Sequence, residues 1–226
     1  LPQTIGPFET HTGRRLARDL LTHSTAVFSR DPLSSCCSNE LAPERSILES
    51  VDLAFFMDYT RRPREDEYVH VGINPSGRLW NCGFAGHNPF NLKCDYRDLI
   101  RKIVEYFLDM PDVKLELIAH VLPGISNVME DDYRVCKILQ HEYPDAGVAP
   151  HFYSPVEAKS YISGLDFFIG SRIHSSIAGL STGVCIFPLA YSRKVRGLFD
   201  VGLGYPYLGE LQHKSQGDIL TKLEET

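Results

Sequence analysis

The sequence lacks two features that would set its broad class: a long hydrophobic run and an excess of basic residues. Its longest apolar runs, such as residues 184–190, fall far short of the roughly 20 residues that a membrane-spanning helix requires. The formal net charge is −6, so we expect no nucleic-acid partner, because a nucleic-acid surface needs clustered Lys and Arg. An anionic ligand must therefore be bound by a local site.

The sequence also lacks a C-x-x-C pair and any cysteine and histidine spacing typical of a metal site, so we predict no metal. Cys136 and Cys185 lie within apolar patterns, which predicts buried thiols. Six cysteines without a disulfide framework favour a reducing, cytoplasmic compartment. The chain has no initiator Met and no leader pattern, so we expect it to begin within a fold.

What is present is a regular alternation of helix and strand patterns. Residues 13–22 have helical spacing, residues 26–29 resemble a short buried strand, and Pro32 or Ser34 begins a helical segment toward Glu49. The later pattern predicts strands at 68–73, 115–121, 148–153, 165–169 and 184–188, and helices at 96–109, 131–142, 155–163, 175–182 and 215–226. Strands that alternate with helices of this length form parallel βαβ units, so the fold class is α/β.

A charged run without apolar residues at 60–67 is typical of an exposed interdomain linker. We place the domain boundary there, with residues 1–62 in a first domain and residues 63–226 in a second.

Ligands of open parallel sheets bind beyond the carboxyl ends of the strands, so the residues that follow the predicted strands are candidates for a site. In the first domain these are Gln3 and Arg30. In the second they are Asn74, Ser76, His120, Arg172, His174, Ser175, Tyr191 and Lys194.

The strongest candidate is the segment 166–176, where a buried strand runs into a helix that we expect to open at Ser175 or Ser176. A helix N-terminus presents unpaired N–H groups to an anion. Arg172 adds a bidentate donor for carboxylate or phosphate, and His174 adds a group that can give a proton near neutral pH. Lys194 follows the next strand and is predicted to reach the same ligand.

Each candidate also has an ordinary structural interpretation. Arg172 can form a salt bridge with a neighbouring loop, His174 can cap the helix, and Lys194 can be a solvated lysine. His120 is more typical of a core histidine. The pair Asp131 and Asp132 can position an acceptor hydroxyl, but an N-cap is the favoured interpretation. Gln3 can belong to a polar turn, and Arg30 to a turn interaction with Asp31.

Five segments resemble successive motifs of the polysaccharide pyruvyl transferase family, in order along the chain. They are residues 2–7, 29–31, 71–77, 170–175 and 190–195. The most specific part is the Arg-x-His-Ser element at residues 172–175, followed after the next strand by Tyr-Ser-x-Lys at residues 191–194.

The resemblance implies an α/β fold similar to the GT-B glycosyltransferases, in which two Rossmann-like parallel-sheet domains face a cleft. Residues 1–62 would then be the C-terminal part of an incomplete first domain. It implies transfer of a pyruvyl group from phosphoenolpyruvate to sugar hydroxyls of a cell-surface polysaccharide or its lipid-linked precursor, forming a ketal. The donor is a substrate and no cofactor is expected.

The resemblance also assigns roles to residues. The catalytic histidine falls on His174, and the donor-binding residues are Arg30, Arg172, Ser175 and Lys194. The secondary candidates are Gln3, Asn74, Ser76, His120 and Tyr191. We expect a cytoplasmic protein that acts at the inner membrane surface, and its sequence leaves a homo-oligomer open. The rival interpretations are a GT-B glycosyltransferase that uses a nucleotide sugar, and an inactive binding fragment.

Overall fold

The structure is a computed structural model in which residues 1–63, 66–83, 88–122 and 128–226 are described. By their contacts, the residues group into two compact units. The first comprises Leu1–Phe56 and Arg193–Pro206, and the second comprises Met57–Ser192 and Tyr207–Thr226. Among the described residues, no helix combines the length and the apolar character needed to cross a membrane.

The helices and strands are labelled in chain order. The strands are β1 (Val27–Ser29), β2 (Ile47–Glu49), β3 (Val69–Asn74), β4 (Val113–Leu117), β5 (Gly147–Val148), β6 (Phe167–Gly170), β7 (Cys185–Ala190) and β8 (Gly209–Glu210). The α-helices are α1 (His11–His23), α2 (Pro32–Leu41), α3 (Gly77–Cys82), α4 (Tyr96–Leu108), α5 (Asp132–Glu142), α6 (Pro155–Ile162), α7 (Ile173–Ser181), α8 (Arg193–Val195) and α9 (Gln216–Glu224). Short 3-10 turns occupy Leu53–Phe56 and Val128–Glu130, and a π-helical segment, Arg196–Gly202, continues α8.

The first unit contains a parallel pair of strands, β1 and β2, beside α1 and α2. Gln3 adds a parallel bridge to Ser29 on β1. The start of α2 follows from its sequence, because Asp31 accepts a hydrogen bond from the Ser34 N–H at 2.8 Å and Pro32 occupies the first turn.

The second unit is built on a parallel sheet with the strand order β5-β4-β3-β6-β7-β8. From β3 the chain first extends the sheet to one side, and it then returns to the middle at β6 and continues to the other side. This is the doubly wound order of Rossmann-like sheets, and its direction reverses between β3 and β6. A core that includes Leu99 of α4 and Leu139 of α5 packs against Ile73 and Leu117 of the sheet.

The α/β class with parallel sheets is confirmed, and the predicted βαβ series is present with shifted ends. The segment toward Glu49 is corrected: α2 ends at Leu41, and Ile47–Glu49 form a strand beside β1. Pro43 explains the change, because proline disfavours helical backbone at and before its own position. The short helix α3 was not predicted.

The predicted linker at 60–67 is not simply exposed chain. The Thr60 N–H donates to Ser160 Oγ at 3.0 Å, and the Arg62 N–H donates to Ser163 Oγ at 3.1 Å. Arg62 also stacks on Tyr161, so residues 57–63 group with the second unit, while residues 64–65 lie outside the described ones. The sequence set the boundary at residue 62, whereas the contacts divide the chain after Phe56.

Residues 193–206 group with the first unit, a division that the sequence did not suggest. The physical reason is local packing. Arg193 donates hydrogen bonds to the carbonyl oxygens of Ile5, at 3.1 Å, and Leu33. Gly197 lies so close to Asp31 that a Cβ there would be 2.8 Å from the carboxylate oxygen.

The two cysteine predictions have different outcomes. All six thiols are free. Cys136 is fully buried, as predicted, and burial raises its pKa. Cys185 is exposed, so that prediction is wrong; it occupies the first position of β7, before the strand enters the core.

Candidate functional site

The point where the strand order reverses carries a cluster of hydrogen-bonded polar residues. Asn74 ends β3 and is paired in register with Gly170, the last residue of β6. Arg172 follows two residues after Gly170 and is the N-cap residue of α7. A strand end, a helix N-terminus and an arginine therefore meet at the position where such sheets bind ligands.

Asn74 connects three parts of this cluster through its buried amide. Its Oδ1 accepts hydrogen bonds from the Arg172 N–H at 3.1 Å and the Ser175 hydroxyl at 2.9 Å. Its Nδ2 donates to the Ile118 carbonyl at 2.9 Å, just beyond β4. The side chain thus fixes the start of α7 relative to the ends of β3 and β4.

Arg172 is held by the carboxylate of Asp132, which is fully buried at the start of α5. Arg172 Nη2 lies 2.8 Å from Asp132 Oδ1 and 3.0 Å from the Glu130 carbonyl oxygen, and Nε lies 3.3 Å from both carboxylate oxygens. Burial opposes the charge of Arg172, but the hydrogen bonds and charge of Asp132 outweigh burial and raise its pKa. The structural interpretation of Arg172 as a salt-bridge partner is therefore realised, and the guanidinium is also positioned rigidly.

The same bonds leave part of the guanidinium available. Arg172 Nη1 makes no hydrogen bond to any of the described residues. The side chain is 11% exposed. A bound anion can therefore use Nη1 without displacing Asp132.

Asp132 is the residue of this cluster whose bonding role sequence reasoning missed. The favoured N-cap interpretation holds for Asp131, which accepts hydrogen bonds from the Tyr133 and Arg134 N–H groups at 2.9 and 3.2 Å. Asp132 instead accepts from the Val121 N–H at 2.9 Å and the Gly77 N–H at 2.8 Å, in addition to Arg172. The doubled aspartate was the available signal, since one cap needs only one of the two.

Gly77 permits this close packing of α3 against the start of α5. A Cβ at this position would lie 2.6 Å from the Asp131 carbonyl oxygen, which is far inside contact distance. The glycine lets its N–H reach Asp132 directly. Any larger residue would separate the carboxylate from α3.

His174 is exposed, whereas its neighbour Ser175 is buried. The helix α7 begins at Ile173, earlier than the predicted opening at Ser175 or Ser176, because Arg172 serves as the N-cap residue. His174 consequently lies in the first helical turn. The Ser175 hydroxyl donates to Asn74 and to the Arg172 carbonyl at 2.8 Å, so it is engaged in holding the turn.

His120 lies beside this cluster and is kept neutral by its surroundings. Burial is the main cause that lowers its pKa to about 4; the charge of Asp132 opposes this shift, and the positive charges of His174 and Arg172 add to it. Its backbone N–H lies 3.3 Å from Asp132 Oδ2. His120 thus lies against Asp132 as a partly buried histidine.

The remaining secondary candidates of the second unit have supporting positions. Ser76 is the buried N-cap residue of α3, and its N–H donates to the Tyr96 hydroxyl at 2.8 Å. That hydroxyl also shares a 2.7 Å hydrogen bond with Ser171, and burial raises the pKa of Tyr96. Tyr191 is partly buried with its ring edge against Phe90, at a centroid distance of 5.5 Å.

Three predicted site residues belong to the first unit. Arg30 forms an ion pair with Asp52, and its Nε donates to Thr4 Oγ1 at 2.7 Å, while Nη2 has no hydrogen bond within the described part of the chain. Gln3 is exposed beside β1, and its carbonyl accepts from the Arg30 N–H at 3.1 Å. Lys194 is exposed within α8, with no ion pair to any described residue.

Comparison with known proteins gives a family match and a fold likeness. The sequence model of the family described as "Polysaccharide pyruvyl transferase" matches residues 1–193. No curated protein sequence matches the chain. The crystal structure of TarM, which has a GT-B-like fold, superimposes with a TM-score of 0.54 at 11% identity, over 98% of this chain and 41% of that one.

A second solved structure, of accessory secretory protein 1, 2 and 3 from Streptococcus pneumoniae, superimposes with a TM-score of 0.49 at 11% identity, over 94% of this chain and 42% of that one. The chain thus spans about two fifths of the length of the solved structures it matches. At these identities the likeness to TarM concerns the fold alone.

Proposed function

The chain belongs to the polysaccharide pyruvyl transferase family, and from this premise we propose that it transfers a pyruvyl group from phosphoenolpyruvate to hydroxyl groups of a saccharide. The observation that carries the proposal is the position of Arg172, which a buried carboxylate fixes at the reversal point of the sheet with Nη1 available. His174 lies two residues further on and is exposed to solvent.

Phosphoenolpyruvate suits this arrangement because it carries a phosphate and a carboxylate on a small molecule. A rigid guanidinium binds either group with charge-assisted hydrogen bonds. We assign to Arg172 the role of orienting one anionic group. Arg30 and Lys194, which the family resemblance assigns to the donor, remain predicted donor contacts.

The proposed chemistry uses His174 as general acid. The imidazolium gives a proton to the methylene carbon of the donor, and a sugar hydroxyl attacks C2 and loses its proton to solvent. The C2–O bond to phosphate then breaks, and the phosphate leaves with the electron pair. Attack by a second hydroxyl of the same sugar closes the ketal and releases a second proton.

The proposed reaction needs no redox step, because C2 of the pyruvyl group keeps the same oxidation level from the enol phosphate to the ketal. The acceptor is a saccharide or a lipid-linked saccharide destined for a cell-surface polysaccharide. We propose that the reaction takes place in the cytoplasm, at the inner membrane surface when the acceptor is lipid-linked.

The test is phosphate release from phosphoenolpyruvate in the presence of methyl β-galactoside, methyl β-glucoside and methyl β-N-acetylmannosaminide. Release that depends on the saccharide, with a product heavier by one pyruvyl ketal in mass spectrometry, supports the proposal. Thermal stability is measured in parallel with phosphoenolpyruvate and with UDP-sugars, because a ligand of the folded state raises the melting temperature. Stabilisation by a UDP-sugar alone, with sugar transfer, would replace this function by a glycosyl transfer.

A further inference from the structure

Three aromatic side chains form a surface feature that the proposed reaction does not yet use. Tyr133, in the first turn of α5, lies 6.0 Å from the His151 ring, and His151 lies 5.1 Å from the Tyr153 ring, centroid to centroid. His151 and Tyr153 belong to the loop between β5 and α6. We call these three residues the aromatic row.

The aromatic row is open to solvent at His151 and Tyr153, whereas Tyr133 packs against the core of the second unit. Tyr153 is 87% exposed, His151 is exposed, and Tyr133 is partly buried. The Tyr133 and Tyr153 hydroxyls and the His151 ring form no hydrogen bond with any described residue. An exposed row of rings with unused polar edges is unusual for a surface that has only a structural role.

The aromatic row begins next to the candidate donor site. Tyr133 directly follows Asp132, whose carboxylate holds Arg172 at 2.8 Å. From Tyr133 the row runs to the segment that follows β5, the edge strand of the sheet, at the carboxyl end of that strand. The aromatic row therefore starts one residue along the chain from the carboxylate that holds Arg172, and it extends from there toward the edge strand of the sheet.

We propose that the aromatic row binds the saccharide chain of the acceptor, with sugar units beyond the reacting one stacked toward Tyr153. This proposal rests on the proposed function. A pyranose ring has a face of C–H groups that packs on aromatic rings and a rim of hydroxyls that needs hydrogen-bonding partners. The row offers both, because each of its members joins an apolar ring to a polar edge.

The position of Tyr153 in the row predicts that its contribution to binding depends on the length of the saccharide. Tyr153 is the member furthest from Asp132 in the series of contacts, so its ring reaches sugar units distant from the reacting one. The Tyr153→Ala variant should therefore bind a β-linked tetrasaccharide about 3- to 10-fold more weakly, the factor expected for one aromatic contact. Binding of the methyl glycosides should stay unchanged.

The experiment measures saccharide binding to the full chain by saturation-transfer NMR and titration calorimetry, without phosphoenolpyruvate. The probes are methyl β-galactoside, methyl β-glucoside, methyl β-N-acetylmannosaminide and the matching β-linked tetrasaccharides. Tyr153→Phe keeps the ring and should retain most of the affinity. Tyr68→Ala is the matched control, because Tyr68 is also an exposed tyrosine but precedes β3, at the amino ends of the strands rather than at their carboxyl ends.

The results separate this inference from the proposed function. Equal tetrasaccharide affinity in the wild-type chain and in Tyr153→Ala, or equal losses in Tyr153→Ala and Tyr68→Ala, would overturn the aromatic row as a saccharide site even if pyruvyl transfer occurs. A loss specific to Tyr153→Ala in a chain that releases no phosphate from phosphoenolpyruvate would support the row and reject the donor. Retained melting temperature in each variant shows that the fold is intact.

Discussion

Arg172 and Asp132 form a buried ion pair, with 2.8 Å between Nη2 and Oδ1, across 40 residues of sequence. The pair joins the start of α7 to the start of α5 at the carboxyl edge of the sheet. Arg30 and Asp52 form a similar pair in the first unit. In both cases a buried carboxylate fixes an arginine whose remaining donor can bind an anion.

Replacing Asp132 by Asn should lower the free energy of unfolding by about 3 kcal/mol, because it leaves the Arg172 charge largely buried without its counter-charge. Urea denaturation measures the change. Asp131→Asn is the matched control, since Asn caps a helix as well as Asp does. Equal stability of the two variants would show that the ion pair does not hold this part of the fold.

Replacing Asn74 by Ala should also destabilise the fold by about 3 kcal/mol, because several buried groups lose their hydrogen-bond partner at once. These groups are the Arg172 N–H, the Ser175 hydroxyl and the Ile118 carbonyl. Asn81→Ala serves as control, since Asn81 donates one exposed hydrogen bond, to Met129. Urea unfolding curves for the two variants should differ clearly, and coincident curves would contradict the assignment.

Replacing His174 by Ala should reduce kcat of the proposed reaction by about 10² to 10⁴, the usual contribution of a positioned general acid. The fold should survive, because the side chain is exposed. Phosphate release gives the rate, and the melting temperature reports on folding. His141→Ala, an exposed histidine in the last turn of α5, should keep full activity. A His174→Ala variant with normal turnover would remove the acid assignment.

The low pKa of His120 makes stability depend on pH. The folded protein keeps this imidazole neutral down to about pH 4, whereas the unfolded chain binds the proton near its ordinary pKa of 6.5. Acid therefore favours the unfolded chain, and the free energy of unfolding should fall between pH 6.5 and pH 4 by at most about 3 kcal/mol. Denaturant titrations across this range measure the slope.

The His120→Asn variant is the comparison for this prediction. It should lose the part of the pH dependence of the free energy of unfolding that comes from His120. His213→Asn, at an exposed position, should keep it. If the slope is as steep in His120→Asn as in the wild-type chain, another group carries the pH dependence.

Local signals accounted for most helices and strands. Pro32 after Asp31, the aspartates before Tyr133, and Ser215 with Asp218 each mark a helix start that the structure contains. Such signals work because a cap and its helix are neighbours in sequence. Strand ends were less accurate: β5 has only two residues where six were predicted, since the segment after Val148 leaves the sheet.

The candidate residues at the end of β6 were grouped from the sequence for a similar reason. Arg172, His174 and Ser175 lie together in sequence at a strand end, so their proximity needed no long-range information. Asp132 was assigned a cap because nothing in its sequence neighbourhood points to Arg172. The roles predicted for Arg30 and Lys194 stay predictions.

By itself, the sequence determined the alternation of strands and helices, the family, and the segment in which Arg172 and His174 stand, because each is written in residues close together along the chain. Only the tertiary structure decided the order of the strands, the ion pair between Arg172 and Asp132, and the return of residues 193–206 to the first unit. These depend on contacts between distant segments, which form when apolar faces pack and buried polar groups must find partners.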